Sequence, residues 1–514
     1  MKRYNIPYRN TNKFSDLILD YIDQKKDLNK FINHFPSIEN VDLQIKEKSS
    51  QVVDRKILFD VLNRQNKEVP LSEKSKKNLS LISLNNTFTI TTGHQICLFT
   101  GPLYFIYKII STINLTEKLK EKYPKYNFVP IFWMASEDHD FEEINHINIF
   151  SKTIEWKGKK GGAVGRMSID KINSAIDELK TLIGLDKNSE KILSIIKTSY
   201  LNQENFASAT RLFINNLFKQ YGLLIIDGDD KRLKKEFITF FKKDIIENEY
   251  KKYIKNTTND IVSQKYKAQA FFRNINCFKL LDESRELIQS KLSEEEIDNN
   301  YYNISPNVLL RPLYQELILP NIAYVGGSSE IAYWMQLRDL FKKEKVSFPL
   351  LFLRNSCTVI DEKKLNRFLS LGFKIDDIFI STDELHKKYV LDNKQDISLN
   401  IQVNKIQYFY EEILLKTSDK SIKTNIKAEL KKQLNILKKI EKKIIKSNKE
   451  NFKIQLNQIS SFKNLLFPKK TLQERHDNFI SFYLRYGDNF IKTLKDNLDP
   501  LNTNFVVLAL DNKK

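Results

Sequence analysis

The spacing of apolar residues predicts alternating strands and helices in the first part of the chain. Residues 87–92 are rich in β-branched side chains and indicate a strand, whereas apolar residues from Leu103 to about Tyr123 recur at helical spacing. Residues 127–135 are again a short apolar run, so the order is that of a βαβ unit. Further apolar runs at 221–227 and 347–353 suit a parallel sheet covered on both faces. We therefore predict an α/β core.

The stretch between Gly372 and Pro468 contains neither glycine nor proline and predicts long helices. Its apolar residues recur every three or four positions, as in a coiled coil, at Leu430, Leu434, Leu437, Ile440 and Ile444. The phase slips near 447–448, which indicates either a stutter or a turn between two antiparallel arms. Because a seam of this length needs a partner helix, we predict a homodimer, although pairing within one chain stays an alternative.

These patterns divide the chain into three parts. Residues 1–395 are predicted to form the α/β core, with helical insertions at about 165–220 and 230–305, and residues 396–467 the coiled coil. Residues 468–514 close with a strand-like run at 505–510, and we expect them to return to the core.

The charge of the chain first suggests a nucleic-acid partner. Among 514 residues, 84 Lys and Arg against 64 Asp and Glu give a formal net charge of +20. Only 15 of the basic residues are arginine, and the chain is also rich in Asn, Ile, Phe and Tyr, a mix that AT-rich codons produce. The charge is therefore first of all a composition effect. The 11 Lys and 3 Glu between Lys423 and Lys453 form either a solvated coiled-coil face or a nucleic-acid track.

Other features limit the class of protein. The first residues include no apolar signal region, no stretch approaches 18 uninterrupted apolar residues, and Cys97, Cys277 and Cys357 form no CxxC pair. We expect a cytoplasmic protein without a membrane span or a disulfide framework. Arginine is informative in such a lysine-rich chain, because lysine cannot replace its planar fork.

The first candidate site lies where the first predicted strand ends. Gly93 and Gly101, two of only 13 glycines, stand there with His94, and Lys108 follows in the predicted helix. Glycines let the backbone approach a phosphate, the helix start offers free N–H groups to an anion, and His94 and Lys108 can neutralise its charge. The spacing is neither GxGxxG nor a Walker loop. The alternative is that the glycines only turn the chain.

The second candidate site is an acidic cluster after the next predicted strand. Five carboxylates and two histidines fall within ten residues, at Glu137, Asp138, His139, Asp140, Glu142, Glu143 and His146. Such a group can bind Mg²⁺, hold a substrate ammonium or supply an acid or base. A zinc site does not fit, because the histidines lie seven apart and no cysteine accompanies them. The alternative is an acidic helix N-terminus capped by Ser136.

The third candidate site surrounds the pair Gly326-Gly327. The pair follows a strand-like segment and precedes a helix start, which makes a second anion-binding helix N-terminus, and Arg311 can fork a carboxylate or phosphate. Glu330 and Tyr333 lie three apart on one helix face. The alternative is a packing role for the aromatic residues Tyr324, Tyr333 and Trp334.

Blocks of these candidate residues, from about residue 90 to 480, stand in the order of a known family's motifs. The blocks are Thr92-Gly-His-Gln95, Thr100-Gly-Pro-Leu-Tyr104 with Lys108, Phe132-Trp-Met-Ala-Ser-Glu-Asp-His-Asp-Phe141 with Glu143, Arg311-Pro-Leu-Tyr-Gln-Glu316, Tyr324-Val-Gly-Gly327, Glu330-Ile-Ala-Tyr-Trp334 and Leu472-Gln-Glu-Arg475. They resemble the cysteine-adding enzymes of bacillithiol biosynthesis, a family of cysteine ligases. His94 departs from the family, which often has glutamine there, and Ser328 stands where proline is expected.

The resemblance implies a Rossmann-like core with connecting-peptide insertions, and a helical coiled coil that mediates homodimerisation. It also implies the final step of bacillithiol synthesis, which joins the carboxyl group of L-cysteine to the amine of glucosaminyl-malate. Because amide formation from a carboxylate requires activation, we expect ATP or another nucleotide as a cofactor, which Mg²⁺ can accompany.

Roles for single residues follow from this reading. We expect Arg311 to stabilise developing negative charge, Glu137, Asp138 or Asp140 to hold the cysteine ammonium or Mg²⁺, and His139 to take the proton of the attacking amine. Residues expected to bind substrate or nucleotide are Thr92, Gly93, His94, Gln95, Gly101, Tyr104, Lys108, Trp133, Tyr314, Gln315, Gly326, Gly327, Glu330, Tyr333, Trp334 and Arg354. No residue is assigned as a dedicated metal ligand.

Two competing functions belong to other classes of protein. A nucleic-acid-binding protein would use the basic helical arm, and its binding would weaken steeply with salt. A scaffold that tethers partners through its coiled coil would leave the clustering of rare His, Trp and Gly residues unexplained. We therefore expect small-molecule substrates, and neither a membrane nor a nucleic-acid partner.

Overall fold

A computed structural model describes residues 1–393 and 398–511. The chain divides into two compact units. The larger unit comprises residues 5–358 and 472–507, and the smaller unit comprises residues 1–4, 359–393, 398–471 and 508–511. The boundary predicted between residues 395 and 396 falls outside the described residues, and the three-part division stays a prediction.

The strands and α-helices have the following bounds. The strands are β1 (Lys2–Pro7), β2 (Thr87–Gln95), β3 (Asn127–Ala135), β4 (His146–Ile149), β5 (Lys152–Glu155), β6 (Leu224–Asp227), β7 (Cys277–Leu280), β8 (Arg285–Leu287), β9 (Ile304–Pro306), β10 (Asn321–Gly326), β11 (Leu350–Leu353), β12 (Cys357–Asp361) and β13 (Asn504–Leu510). The helices are α1 (Tyr8–Thr11), α2 (Asp16–Ile22), α3 (Val41–Ser49), α4 (Arg55–Gln65), α5 (Glu73–Leu81), α6 (Tyr104–Lys122), α7 (Phe141–Ile144), α8 (Ile172–Ile183), α9 (Lys187–Tyr200), α10 (Phe206–Phe218), α11 (Lys231–Lys235), α12 (Ile238–Lys242), α13 (Tyr250–Ser263), α14 (Glu294–Asn300), α15 (Arg311–Ile318), α16 (Ser328–Met335), α17 (Arg338–Glu344), α18 (Glu362–Ser370), α19 (Thr382–Asn393), α20 (Asn400–Leu415), α21 (Lys420–Lys449), α22 (Lys453–Leu466), α23 (Ile480–Tyr486) and α24 (Asn489–Asn497).

A five-stranded sheet lies at the centre of the larger unit. Its strand order is β11-β10-β2-β3-β6, and all four pairs are parallel. The βαβ unit is β2, α6 and β3, with β2 and β3 paired from Thr87 and Asn127 to Gln95 and Ala135. The predicted α/β fold with a parallel sheet is confirmed.

Both faces of this sheet are buried, which explains why its strands are apolar without a regular polar alternation. On β3, Phe128 packs with Leu115 and Leu119 of α6 in one apolar cluster. Its neighbours Ile131 and Trp133 belong to a second cluster on the opposite face. Burial of apolar surface on both sides is the main favourable contribution to the stability of such a layer.

The two predicted insertions differ in structure. Residues 165–220 contain the helices α8, α9 and α10, as expected. Residues 230–305 contain α11 to α14 and, in addition, a small antiparallel sheet of order β8-β7-β9. These strands have only three or four residues, so no period-two pattern could show them in the sequence. The strand β1 also lies in a segment whose sequence is helix-like and polar.

Long helices dominate the smaller unit. α20 packs against α21, and the turn between them ends at Asp419, whose side chain accepts hydrogen bonds from the N–H groups of Ser421 and Ile422 and so caps α21. The predicted slip near 447–448 corresponds to a short turn, Glu450–Phe452, that separates α21 from α22. Within the described chain, no helix is both long enough and apolar enough to cross a lipid bilayer.

Candidate active site

A cavity of about 710 Å³ lies at the carboxyl ends of the central strands. This is the edge at which open α/β sheets bind ligands, and the volume is typical of a small-molecule site. The predicted residues that line it are Gly93, His94, Gln95, Tyr104, Trp133, Glu137, Asp138, Arg311, Gly327, Glu330, Tyr333 and Arg354. A second cavity, of about 290 Å³ beside Tyr8 and Tyr21, contains none of the predicted residues.

The other predicted residues do not line the cavity. They are Thr92, Gly101, Lys108, His139, Asp140, Tyr314, Gln315, Gly326 and Trp334. Several of them make hydrogen bonds to the backbone of neighbouring segments. The hydroxyl of Thr92 donates to the carbonyl oxygen of Val325 at 2.7 Å, and that of Tyr314 donates to the carbonyl oxygen of Gly228 at 2.8 Å. Trp334 stacks on the ring of Tyr324 with the ring centroids 4.7 Å apart.

Gly101 serves the turn that leads from β2 into α6. Its φ of +62° lies in the left-handed region, and a Cβ at this position would be 2.7 Å from the Cβ of Cys97. Asp140 also has a local role, since its side chain accepts the N–H of Glu143 and caps the short helix α7. The local conformation therefore explains why a glycine stands at 101 and an aspartate at 140, and no contact with a ligand is needed.

Lys108 is buried and forms an ion pair with Glu330. Its Nζ lies 2.7 Å from Oε2 of Glu330, which also accepts the N–H of Gly327 at 2.7 Å, while Oε1 accepts the hydroxyl of Tyr324 at 2.6 Å. Burial acts to raise the pKa of Glu330, but the charge of Lys108 and these hydrogen bonds lower it to about 2. The carboxylate is thus ionised and neutralises the lysine that had been expected to face a ligand anion.

Arginine is concentrated around the cavity. Five of the 15 arginines line it: Arg273, Arg285, Arg311, Arg354 and Arg475. Arg311 donates to Gln315 at 2.9 Å and to the Tyr333 hydroxyl at 3.3 Å. Arg354 donates to the buried Glu474 at 2.8 Å. Sequence reasoning did not assign Arg273, Arg285 or Arg475 to the site, although the scarcity of arginine, applied to all 15, was a signal that could have found them.

The acidic segment after β3 is held by several hydrogen bonds. Oδ2 of Asp138 accepts the side-chain amide of Gln95 at 2.5 Å, and Oδ1 accepts the N–H of His139 at 2.8 Å. The guanidinium of Arg285 lies 3.5 Å from Asp138 and covers the ring of Phe278 at 4.1 Å. Burial acts to raise the pKa of Asp138, but these donors and the charge of Arg285 lower it. Asp138 is therefore a carboxylate with both oxygens engaged.

Glu137 has a different environment. Its Oε1 lies 2.7 Å from Nζ of Lys234, which is fully buried on α11 and also lies 2.7 Å from Asp229. Asp229 is in turn held by Arg166 at 2.6 Å. Burial raises the pKa of Glu137 in spite of the lysine. Its second oxygen, Oε2, accepts no hydrogen bond from the described residues, so Glu137 reaches the cavity with one oxygen anchored and one available.

His139, the predicted proton acceptor, lies at the surface beside this segment. Its side chain is 47% exposed, and Nδ1 is 3.4 Å from a guanidinium nitrogen of Arg285. No metal centre is formed by the described residues, because none of them form a group of three or more His, Cys, Asp or Glu side chains suited to hold an ion.

His94 is predicted to make stability depend on pH in the weakly acidic range. Its Nδ1 donates to the carbonyl oxygen of Gln95 at 2.7 Å, and its Nε2 accepts from the Tyr104 hydroxyl at 3.1 Å. Burial and the nearby charge of Lys108 lower the pKa of the ring to about 4. An imidazole in the unfolded chain titrates near 6.5. The contribution of neutral His94 is thus complete above pH 6.5 and is lost as the pH falls toward 4.

When the pH falls from 7 to 5, the free energy of unfolding should therefore decrease in the parent chain by about 1–2 kcal/mol more than in the variant His94→Gln. Urea unfolding at both pH values measures this difference. His139→Gln is a matched control, because its ring is half exposed. An unchanged pH dependence in His94→Gln would contradict the prediction.

An open parallel sheet with carboxylates and arginines in a cavity at its carboxyl edge is typical of an enzyme that acts on small molecules. The chain belongs to the bacillithiol biosynthesis BshC family: the model of its N-terminal Rossmann-like domain matches residues 1–355, and that of its C-terminal coiled-coil domain matches residues 357–510. The family and the Rossmann-like fold predicted from the sequence are confirmed.

Three relatives, each named "Putative cysteine ligase BshC", match the chain over almost its full length. The relative from Flavobacterium psychrophilum is 42% identical and that from Christiangramia forsetii 42%, with 98% of both chains covered in each case. The relative from Flavobacterium johnsoniae is 39% identical over 98% of this chain and 99% of its own. The prediction of a ligase is confirmed, and nothing in these matches favours a nucleic-acid-binding protein.

Proposed function

We propose that this protein joins the carboxyl group of L-cysteine to the amine of glucosaminyl-malate, as the final step of bacillithiol synthesis. The name of the relatives supports cysteine as a substrate. The single observation that carries the proposal is the composition of the cavity, which combines carboxylates able to hold an ammonium with five arginines able to hold carboxylate or phosphate oxygens.

A nucleotide co-substrate is part of the proposal. Amide formation from a carboxylate must remove one carboxylate oxygen, and a triphosphate such as ATP supplies this by taking the oxygen onto phosphorus, so that AMP and diphosphate, or ADP and phosphate, leave. Arg311, Arg354 and Arg475 are charged groups on the cavity wall that suit these oxygens. The start of α16 at Ser328 lies on the same wall and offers backbone N–H groups.

Glu137 is the best candidate for the acid–base work. Asp138 has both oxygens engaged and a lowered pKa, whereas Glu137 has a free oxygen and a raised pKa, which suits a group that takes a proton from the attacking amine. Mg²⁺ would be held mainly by the nucleotide phosphates, because the described residues form no group of three or more His, Cys, Asp or Glu side chains suited to an ion. His139 lies outside the lining, and in this proposal it positions Arg285.

Homodimerisation through the helical part of the smaller unit belongs to the same proposal. Although α20 packs against α21 within the chain, apolar side chains of these helices remain exposed, among them Ile401, Tyr408, Phe409, Leu415, Ile436 and Ile440. Exposed apolar surface of this kind is typical of an interface. The mass of the full chain in solution tests it.

The function is tested with the purified protein, glucosaminyl-malate, L-cysteine and ATP. We expect bacillithiol to form together with AMP or ADP, and no product when any one substrate is omitted. A strain that lacks the gene should accumulate glucosaminyl-malate and lose bacillithiol. Normal bacillithiol in that strain, or no product from the complete mixture, would refute the proposal.

A further inference from the structure

One aromatic ring at the cavity, that of Phe271, stacks on no other ring among the residues that the structure describes. Phe271 is 88% exposed although it belongs to the cavity lining. The other aromatic rings of the lining are buried or covered. Phe278 is covered by Arg285 at 4.1 Å, Tyr104 by Arg354 at 5.1 Å and Tyr324 by Trp334 at 4.7 Å, while Trp133 and Tyr333 are buried.

The backbone on both sides of Phe271 is anchored by hydrogen bonds. On one side, the N–H groups of Gln269 and Ala270 donate to Oε1 of the buried Gln336 at 3.0 and 2.9 Å, and the side-chain amide of Gln336 donates to the carbonyl oxygen of Ala270 at 3.0 Å. On the other side, the N–H of Arg273 donates to the buried Asn276 at 3.2 Å. A large apolar side chain exposed to water loses the free energy of burial, which a ligand that covers it can recover.

We infer that Phe271 is the platform on which the base of the nucleotide co-substrate stacks. This inference rests on the proposed function, which supplies three candidate ligands. Of these, cysteine and glucosaminyl-malate contain no flat π system, whereas a purine nucleotide does, and bases stack on aromatic side chains irrespective of their hydrogen-bonding edges. The cationic Arg273, two residues further along the same wall, suits the phosphates of such a ligand.

The variant Phe271→Trp provides a readout once the signal of the parent chain is subtracted, because the three native tryptophans are buried but Trp133 also lines the cavity. ATP and adenosine should quench the fluorescence of the introduced tryptophan, and inorganic triphosphate should not. Phe150→Trp is the matched control, since Phe150 is also solvent-exposed but lies outside the cavity lining, and its fluorescence should respond no more than that of the parent chain.

In calorimetry, Phe271→Ala should raise the Kd for ATP by about 5- to 100-fold and leave the Kd for inorganic triphosphate unchanged. If Phe271→Ala binds ATP as tightly as the parent chain does, or if glucosaminyl-malate rather than adenosine quenches the introduced tryptophan, the platform assignment is wrong while the proposed ligase function stands. If the parent chain binds no ATP at all, the assignment falls together with the nucleotide dependence of the proposed function.

Discussion

Replacing Lys234 by methionine is expected to lower the free energy of unfolding by about 3–5 kcal/mol, because it leaves two buried carboxylates without their shared cation. Nζ of Lys234 lies 2.7 Å from both Glu137 and Asp229. Burial acts to lower the pKa of Lys234, but the two carboxylates raise it, so the lysine is charged. Urea unfolding measures the change.

The matched control is Lys235→Met, which removes an exposed lysine from the same helix and should change stability by less than about 0.5 kcal/mol. Adding Glu137→Gln to Lys234→Met should recover part of the loss, because one unpaired charge is removed. If Lys234→Met is as stable as its control, the ion pairs of Lys234 with Glu137 and Asp229 do not stabilise the fold.

Replacing Arg311 by lysine is expected to lower kcat of the proposed ligase reaction by about 100-fold. One guanidinium nitrogen of Arg311 donates to Gln315 and the other to Tyr333, and both atoms are needed to present the fork to the cavity. Lysine keeps the charge but offers a single point of contact. Steady-state kinetics with each substrate varied in turn separates kcat from KM.

Arg367→Lys is the control for this substitution, since Arg367 is exposed on α18 and lies outside the cavity lining. Its kcat should equal that of the parent chain. A kcat for Arg311→Lys within twofold of the parent, with an unchanged KM for every substrate, would exclude Arg311 from the stabilisation of developing charge.

Most elements of the central sheet could be predicted because their signals are local. The apolar run at 127–135 coincides with β3, and the helical spacing after Leu103 corresponds to α6. The strands β7, β8 and β9 could not be predicted, since three or four residues are too few to show a period. Arg285 was missed together with β8, although it contacts Asp138 from a position 147 residues away.

The candidate site was predictable only in part, because only its local signals can be recognised in the sequence. Motif blocks identified the residues at the ends of β2, β3 and β10, because strand ends carry ligand contacts in this type of sheet. They could not reveal that Lys108 would be neutralised by Glu330, nor that Asp138 would have both oxygens engaged and Glu137 one oxygen free. These facts depend on burial and on distances between segments remote in sequence.

By itself, the sequence determined most strands of the central sheet, the parallel α/β core and the blocks that identify the family, because side-chain periodicity and short motifs are local properties of the chain. Tertiary structure alone decided which charges meet. It paired Lys234 with Glu137 and Arg285 with Asp138, and it left the ring of Phe271 exposed at the cavity. Pairing and desolvation act through space, and they set the charge and the availability of each side chain.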